Sequence, residues 1–408
     1  MRKSTLPKLI SQMSSIQMIS SGKIHTFFSS SAWIEGESIR QLERVAALPG
    51  MLKVAGFPDL HPGKGGPVGA AMLSEGVFYP YLVGSDVGCG MALFDTDLNA
   101  AKAKPEKWAK KLSGLEEPWG GDVVAWLQER GAEPEGFASS VGTIGMGNHF
   151  AELLRIRDVT DSNSFHSVGL DENNLFLLVH SGSRGLGEML LRSHVDIHRD
   201  GGLKADDDDS WSYLSRHDNC ICWAVASREL IANRFLEELG SSYRRILDLT
   251  HNSITVVENH EKQYFLHRKG ASPSDRSRNQ LWNPLSAEYL TPEDGDLIII
   301  PGSRGACSYL VKPLGNQDQN LWSVAHGAGR KWGRSECEGR LREKYSPDSM
   351  KKTKLGSYIV CEDRDLLYEE APQAYKDIDS VIGDMVSFGL IKVVAVFQPV
   401  LTYKVRKR

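Results

Sequence analysis

Asp86 and Cys89 stand three residues apart in Gly84-Ser85-Asp86-Val87-Gly88-Cys89-Gly90-Met91, a turn whose glycines reach backbone angles closed to other residues. A hard oxygen and a soft sulfur offered from one turn suit a borderline cation such as Zn, Mn, Fe or Co, and one thiolate can bridge two of them. Alone, the turn also reads as a buried cysteine beside a surface aspartate. The histidines decide between these readings. His149, His180, His251 and His326 each adjoin glycine, serine or asparagine at a strand or loop end. His25, His166, His194, His198, His217 and His260 lie in polar or helical contexts expected of surface residues. Four coincidences on one loop type point to a mixed Asp/Cys/His site with capacity for two metals, an arrangement that neutralises a phosphoryl group and orients attacking and leaving oxygens.

The elements that must position these groups follow a recurring pattern. The apolar pieces Tyr81-Leu82-Val83 and Met91-Ala92-Leu93-Phe94 read as strands flanking the turn. A buried strand from Leu175 to Val179 ends at His180 and opens into Ser181-Gly182-Ser183-Arg184-Gly185. The strands at Tyr264 to Leu266 and Leu297 to Ile300 open into His267-Arg268-Lys269-Gly270 and Pro301-Gly302-Ser303-Arg304, and Trp322 to Arg330 closes the series. Strand after strand feeding a glycine loop that carries His, Ser or Arg predicts one cleft lined by strand-end loops, with Ser, Arg and Lys on phosphate oxygens.

Two further glycine-rich stretches carry two readings each. Gly142 to Glu152 is either an anion cradle at the start of a helix beginning Leu153-Leu154, or a turn capped by Asn148. Phe57 to Gly69 is a loop too rich in Gly and Pro for a helix, and its Asp59, His61 and Lys64 are either reactive groups or turn chemistry with a capping Asp. Helical spacing predicts helices at Glu37 to Leu48, Pro105 to Leu112, Val123 to Arg130 and Ile221 to Leu239. The run Asp206-Asp207-Asp208-Asp209 reads as a solvated loop outside the site, and residues 1–30 as an edge strand and loop.

Composition is ordinary for a globular protein: 41% hydrophobic and 25% charged over 408 residues, long enough for two domains or one large one. A formal net charge of −4 provides no global basic field, so nucleic acid must be met by a local patch. Six cysteines without paired spacing, and no apolar core of signal-peptide length in the first 30 residues, predict a reducing cytoplasm. No window reaches the roughly 18 apolar residues of a membrane span.

The series Gly84-Ser85-Asp86-Val87-Gly88-Cys89-Gly90, Gly147-Asn148-His149, His180-Ser181-Gly182-Ser183-Arg184-Gly185, His251-Asn252, Arg268-Lys269-Gly270-Ala271, Pro301-Gly302-Ser303, His326-Gly327-Ala328-Gly329-Arg330 and Ala374-Tyr375-Lys376-Asp377-Ile378-Asp379 resembles the RtcB family of RNA-splicing and RNA-repair ligases. The matches run in order over residues 55–380. The resemblance implies an α+β fold, one large domain over residues 1–408 of mixed and antiparallel sheets with peripheral helices. It implies a GTP- and manganese-dependent ligase joining an RNA 3′-phosphate or 2′,3′-cyclic phosphate to a 5′-hydroxyl, acting as a monomer, with no membrane and with an accessory protein left open.

Carried over by motif, the resemblance makes Asp86, Cys89 and His149 ligands of one manganese and Cys89, His180 and His251 ligands of a second. It makes His326 the nucleophile that takes GMP from GTP. It places the guanylate among Asn148, His149, Phe150, Ala151, Glu152, His251, Asn252, Pro301, Gly302, Ser303, Arg304, Ser308, His326, Gly327, Ala328, Gly329 and Lys404, with Glu152 on the guanine edge. Several positions depart from the family pattern: Ser85 for Val, Arg304 where Met is common, Ala325 for Ser, and a C-terminus Lys404-Val405-Arg406-Lys407-Arg408 in place of Val-Lys-Gly. Lys404 aligns best with the family's nucleotide-touching lysine, and the basic tail is a candidate RNA contact. Two other readings stay open: a bimetal phosphoesterase that uses no nucleotide, and an RNA-end-binding relative without catalysis.

Overall fold

In a computed structural model, described here for residues 20–259, 262–274, 297–315 and 317–406, two sheets stack between helices. The smaller sheet has the strand order Ser20–Ser21, Ile24–Thr26, Met51–His61, Val68–Glu75, Lys262–Lys269, Asn252–Asn259. The larger runs Tyr243–Thr250, Gly90–Asn99, Asn174–Ser181, Phe150–Val159, Ile391–Val405, Ser308–Pro313, Ile298–Ile300, with Tyr358–Cys361 alongside Ile391–Val405. Pairing is antiparallel except between Tyr358–Cys361 and Ile391–Val405 and between Ile24–Thr26 and Met51–His61. The class is α+β, as the resemblance implies.

Strand alternation builds three apolar layers from the two sheets. Met91, Leu93, Phe176 and Leu178 of the large sheet face Phe57, Ala71 and Leu266 of the small one, forming the inter-sheet core. The alternate residues Ala92, Phe94, Leu175, Leu177 and Val179 turn outward against Ile231, Phe235 and Leu236 of the helix Asp208–Leu239. On the far face of the small sheet, Leu42 and Val45 of the helix Gly36–Ala46 cover Val54, Leu60, Ala70 and Met72. The order helix, sheet, sheet, helix buries both faces of each sheet.

The helices expected at 37–48, 105–112 and 123–130 form as Gly36–Ala46, Pro105–Lys111 and Val123–Gln128. Four local expectations are corrected. The helix expected from Ile221 begins at Asp208, so Asp207 to Asp209 are its N-cap and first turn, where carboxylates suit the positive end of the helix dipole. Leu153-Leu154 opens no helix but lies in the strand Phe150–Val159, because both leucines find a sheet core. Tyr81-Leu82 is the end of a short 3₁₀ turn started by Pro80. Phe57 to His61 is the end of a strand that leaves its register between Gly56 and His61. Ile16 to Ile19, His260 and the tail residues Lys407 and Arg408 lie outside the described residues. Among the described residues no helix is long and apolar enough to cross a membrane.

Candidate active site

Four neighbouring strands of the large sheet deliver the Asp/Cys/His set to one end. Gly90 pairs with Thr250 on one side and Ser181 on the other, while His180 pairs with both Met91 and Phe150. Cys89, His149, His180 and His251 are the residues at or just beyond those paired ends, so register alone brings them together. The Asp86–Cys89 turn is closed by Cys89 N–H donating to Asp86 O at 3.1 Å. Asn252 binds it twice, taking the Gly88 N–H on its carbonyl at 2.9 Å and donating its amide to Asp86 O at 3.1 Å. Gly88 has φ +79, and a Cβ there would sit 2.9 Å from the Ala224 methyl of the long helix, so only glycine fits.

Below the turn, Arg228 of that helix is fully buried. It pairs with Asp248 (Nε to Oδ2, 2.9 Å) and donates to Gly88 O at 2.7 Å and Ser181 O at 2.8 Å. Nothing in the sequence marks this pin among the charges of a long helix.

The donor atoms fall into two groups that share Cys89: Asp86, Cys89, His149 and Cys89, His180, His251, with ligand atoms within 4.8 Å of one another in each. Cys89 Sγ lies 3.2 Å from His180 Nε2 and 3.4 Å from His149 Nε2. His180 Nδ1 donates to Asn148 O at 3.1 Å, leaving the Nε2 lone pair toward the sulfur. His149 Nε2 meets Asp86 Oδ2 at 2.9 Å, and its Nδ1 accepts from Arg184 Nη1 at 2.8 Å. Burial drives the His180 and His251 imidazoles well below their ordinary pKa, helped in each case by neighbouring imidazoles, so both are neutral. Burial, then the Asp86 carboxylate, pushes the Cys89 thiol well up. Burial works against the charge on Asp86, yet His149 holds its carboxyl below the usual range.

The His251 Nδ1 is buried without a hydrogen-bond partner among the described residues. An imidazole with an unsatisfied buried nitrogen, grouped with a thiol and a second neutral imidazole, fits a cation. This donor set suits two borderline metals.

His326 follows the short strand Ser323–Ala325, and its ring lies 4.7 Å from that of His251 between centroids. Its Nδ1 donates to Asp59 Oδ2 at 2.7 Å, and its backbone N–H to the same oxygen at 3.1 Å. Asp59 is wholly buried at the register break of its strand. Lys376 holds that break open by donating to Pro58 O at 2.9 Å and Leu60 O at 2.6 Å. Gly329 (φ +71) allows the approach, since a Cβ there would meet Asp59 O at 2.3 Å.

Two cavities meet at His326. One of about 600 Å³ is lined by Asp86, Cys89, His149, His251, Asn252, Arg184 and Lys269. The other, about 550 Å³, is lined by Phe150, Glu152, Gly302, Ser303, Arg304, Gly327, Ala328, Gly329 and Lys404. Val68, Asn148, His326 and Arg334 border both. His180 and Pro301 also line the second. Two residues expected at the nucleotide do not line either cavity. Ala151 alternates to the opposite face of its strand and packs in the core against the long helix, and Ser308 is buried.

Burial raises the Glu152 carboxyl to about 7, against the opposing pull of Thr402, which donates to it, and of Lys404. Lys404 is buried and donates to His149 O at 3.0 Å, so it ties the two cavities together.

Sequence reasoning left Asp59 ambiguous and gave no role to Arg228 or Lys376. It also placed His194 and His217 on the surface, whereas both are buried core residues. His217 Nε2 accepts the Ile254 N–H at 2.9 Å and His194 Nε2 donates to Gly201 O at 3.3 Å. A polar helical neighbourhood conceals which face a residue occupies.

The family model described as tRNA-splicing ligase RtcB matches residues 41–121 and 127–405. The chain belongs to the RtcB family. It is 45% identical over 391 residues to the RNA-splicing ligase RtcB2 of Escherichia coli, covering 94% of this chain and 96% of that one. It is 27% identical to the tRNA-splicing ligase RtcB of Archaeoglobus fulgidus, covering 90% of each, and 26% identical to the RNA-splicing ligase RtcB homolog 1 of Entamoeba dispar, covering 90% and 81%. The RtcB match spans every strand that carries a member of the Asp/Cys/His set.

Proposed function

We propose that this RtcB-family chain is a GTP- and manganese-dependent RNA ligase, its residues 1–408 acting as one catalytic domain in a reducing cytoplasm. It joins a 3′-phosphate or 2′,3′-cyclic phosphate end to a 5′-hydroxyl end. The observation that carries this reading is the position of His326 at the junction of two cavities with its Nδ1 proton committed to Asp59. The Nε2 lone pair is then the nucleophile, and the buried carboxylate stabilises the imidazolium character that builds as it attacks.

In the first step Nε2 bonds to the α-phosphorus of GTP while the bond to the β-phosphate oxygen breaks, releasing pyrophosphate and leaving GMP on His326. An oxygen of the RNA 3′-phosphate next takes the GMP and frees Nε2. The 5′-hydroxyl oxygen then attacks the RNA phosphorus as its proton passes to solvent, GMP leaves, and the phosphodiester is formed; a 2′,3′-cyclic end first adds water across its P–O2′ bond to give the 3′-phosphate. Manganese held by Asp86, Cys89 and His149 and by Cys89, His180 and His251 would draw negative charge from the phosphoryl oxygens. Arg184, Lys269 and Arg334 line the metal-side cavity and suit RNA phosphates, while Glu152 and Lys404 in the other suit the guanine. The names of the relatives, RNA-splicing and tRNA-splicing ligase, support the substrate class.

Incubation with GTP labelled on the α-phosphate and Mn²⁺ tests the reading. Wild type retains acid-labile label, His326→Ala retains none, and RNA with the stated ends is joined only by the former. Metal-loaded wild type that takes up no label excludes the ligase. Phosphate release from RNA ends without GTP, undiminished in His326→Ala, would favour a phosphoesterase.

A further inference from the structure

A chain of net charge −4 has to meet RNA with a local concentration of basic residues, and two stretches hold one. Residues 102–111 carry five lysines and one acidic residue, and residues 330–354 carry nine Lys or Arg against four Asp or Glu. Together they hold 14 of the 48 basic side chains and 5 of the 52 acidic ones, so the rest of the chain is left with an acidic excess. That remainder repels a long polyanion, whereas these stretches attract it.

The fold brings the two stretches to one face. The helix Pro105–Lys111 packs Trp108 and Ala109 inward and leaves Glu106, Lys107 and Lys110 exposed. It lies against the strand Tyr358–Cys361, where Tyr358 OH donates to Glu106 Oε2 at 3.4 Å. Lys352 Nζ stands 5.1 Å from the centre of the same tyrosine ring, and Lys354 follows two residues on. The face adjoins the catalytic cavities through the strand Ile391–Val405: Arg406 donates to Ala109 O of the helix, and Lys404, about 7 Å of strand earlier, lines the second cavity.

The acidic residues within these stretches are mostly spoken for. Glu106 approaches Lys110 at 3.6 Å, Glu336 binds Arg340 at 2.7 Å, Glu338 approaches Arg342 at 3.7 Å and Asp348 binds Lys351 at 2.9 Å. Lys104, Lys107, Lys352 and Lys354 are exposed and have no carboxylate partner among the described residues. Lysines gathered without carboxylates repel one another, and an anion relieves that repulsion. An ammonium on a flexible stem is a point charge suited to phosphate oxygens rather than to base edges.

We propose that the face carrying Lys104, Lys107, Lys352 and Lys354 holds the phosphate backbone of the RNA substrate outside the ends that are joined. The inference rests on the reading that the chain joins RNA ends. The contact is independent of sequence and gives an RNA with a long body tighter binding than the same end on a short one.

Fluorescence anisotropy with the full chain, Mn²⁺ and no GTP tests it, using a stem-loop RNA with a 3′-phosphate and a trinucleotide with the same end. Wild type is expected to bind the stem-loop more tightly, and less so as salt rises. The combined variant Lys104→Ala, Lys107→Ala, Lys352→Ala and Lys354→Ala is expected to lose about 3 to 4 from the slope of log affinity against log salt for the stem-loop, about one per lysine, while binding the trinucleotide as wild type does. Arginine at the same four positions keeps the slope. Label retained from GTP is unchanged in both variants. A stem-loop affinity within twofold of wild type in the alanine variant overturns the proposal, as does an equal loss for the trinucleotide or a wild type that binds both RNAs alike. Failure of wild type to take label from GTP would remove the ligase reading, while the stem-loop measurement still decides the surface.

Discussion

His326 Nδ1 lies 2.7 Å from Asp59 Oδ2, a contact between residues 267 positions apart. Because the same oxygen also takes the His326 backbone N–H, the carboxylate is held in place and fixes one tautomer of the imidazole and one ring orientation. Asp59→Asn keeps the shape and reverses the hydrogen bond. The rate of GMP transfer to the protein is expected to fall about 10²- to 10⁴-fold, with metal content and GTP affinity unchanged. A rate within twofold of wild type would show that the pair is structural.

Cys89 is common to both donor groups, whereas Asp86 and His149 belong to one and His180 and His251 to the other. Metal analysis of purified variants by mass spectrometry therefore has an expected pattern. Cys89→Ala lowers the affinity of both ions by about 10- to 100-fold or more, while His251→Ala and Asp86→Asn each weaken one. Equal stoichiometry in all three variants contradicts a shared thiolate.

Glu152 supplies a pH dependence. Its carboxyl titrates at about 7 in the fold because burial disfavours the charge, against 4.5 when exposed. Between these values the folded chain holds a proton that the unfolded chain has released, so this residue lowers stability as pH rises from about 4.5 to about 7. The full effect is about 3 kcal/mol. Glu152→Gln is expected to flatten that slope in denaturant titrations. In the proposed role of acceptor for guanine N–H groups the residue must be ionised, so GMP affinity is expected to rise from pH 6 to pH 8 in wild type and to stay flat in Glu152→Gln.

Arg228 is expected to be costly to remove. Arg228→Met leaves Asp248 without its buried partner and strands the Gly88 and Ser181 carbonyls, a loss of about 3–5 kcal/mol in unfolding free energy. Metal affinity drops in the same variant, because Gly88 and Ser181 adjoin Cys89 and His180. A variant with unaltered melting and unaltered metal binding would show that the turn is held by other contacts.

The convergence of Asp86, Cys89, His149, His180 and His251 was legible because each sits on a loop, or at the strand end beside one, punctuated by glycine, serine or asparagine, where residue type and backbone freedom coincide. Asp59 was not, since a proline-bearing strand that breaks register looks like a plain loop. Glu152 was read at the head of a helix because Leu153-Leu154 suits either period over so short a run. His217 was misplaced for a related reason: the buried stripe of the long helix is interleaved with charges such as Arg216 and Asp218, and only the neighbouring strand reveals which face is covered. The class of fold was legible from recurring strands; the stacking of two sheets was not, because pairing partners such as Gly90 and Thr250 are set by contacts far apart in the chain.

The pairing of His180 with Met91 and with Phe150 has a bearing on how the protein matures. If any of those three strands slid by one position, a member of the Asp/Cys/His set would be displaced from the others and the cluster would lose a donor. In the proposed two-metal site a cation would then be held only by a correctly aligned chain, and occupancy of both positions would certify that assembly of the sheet has finished.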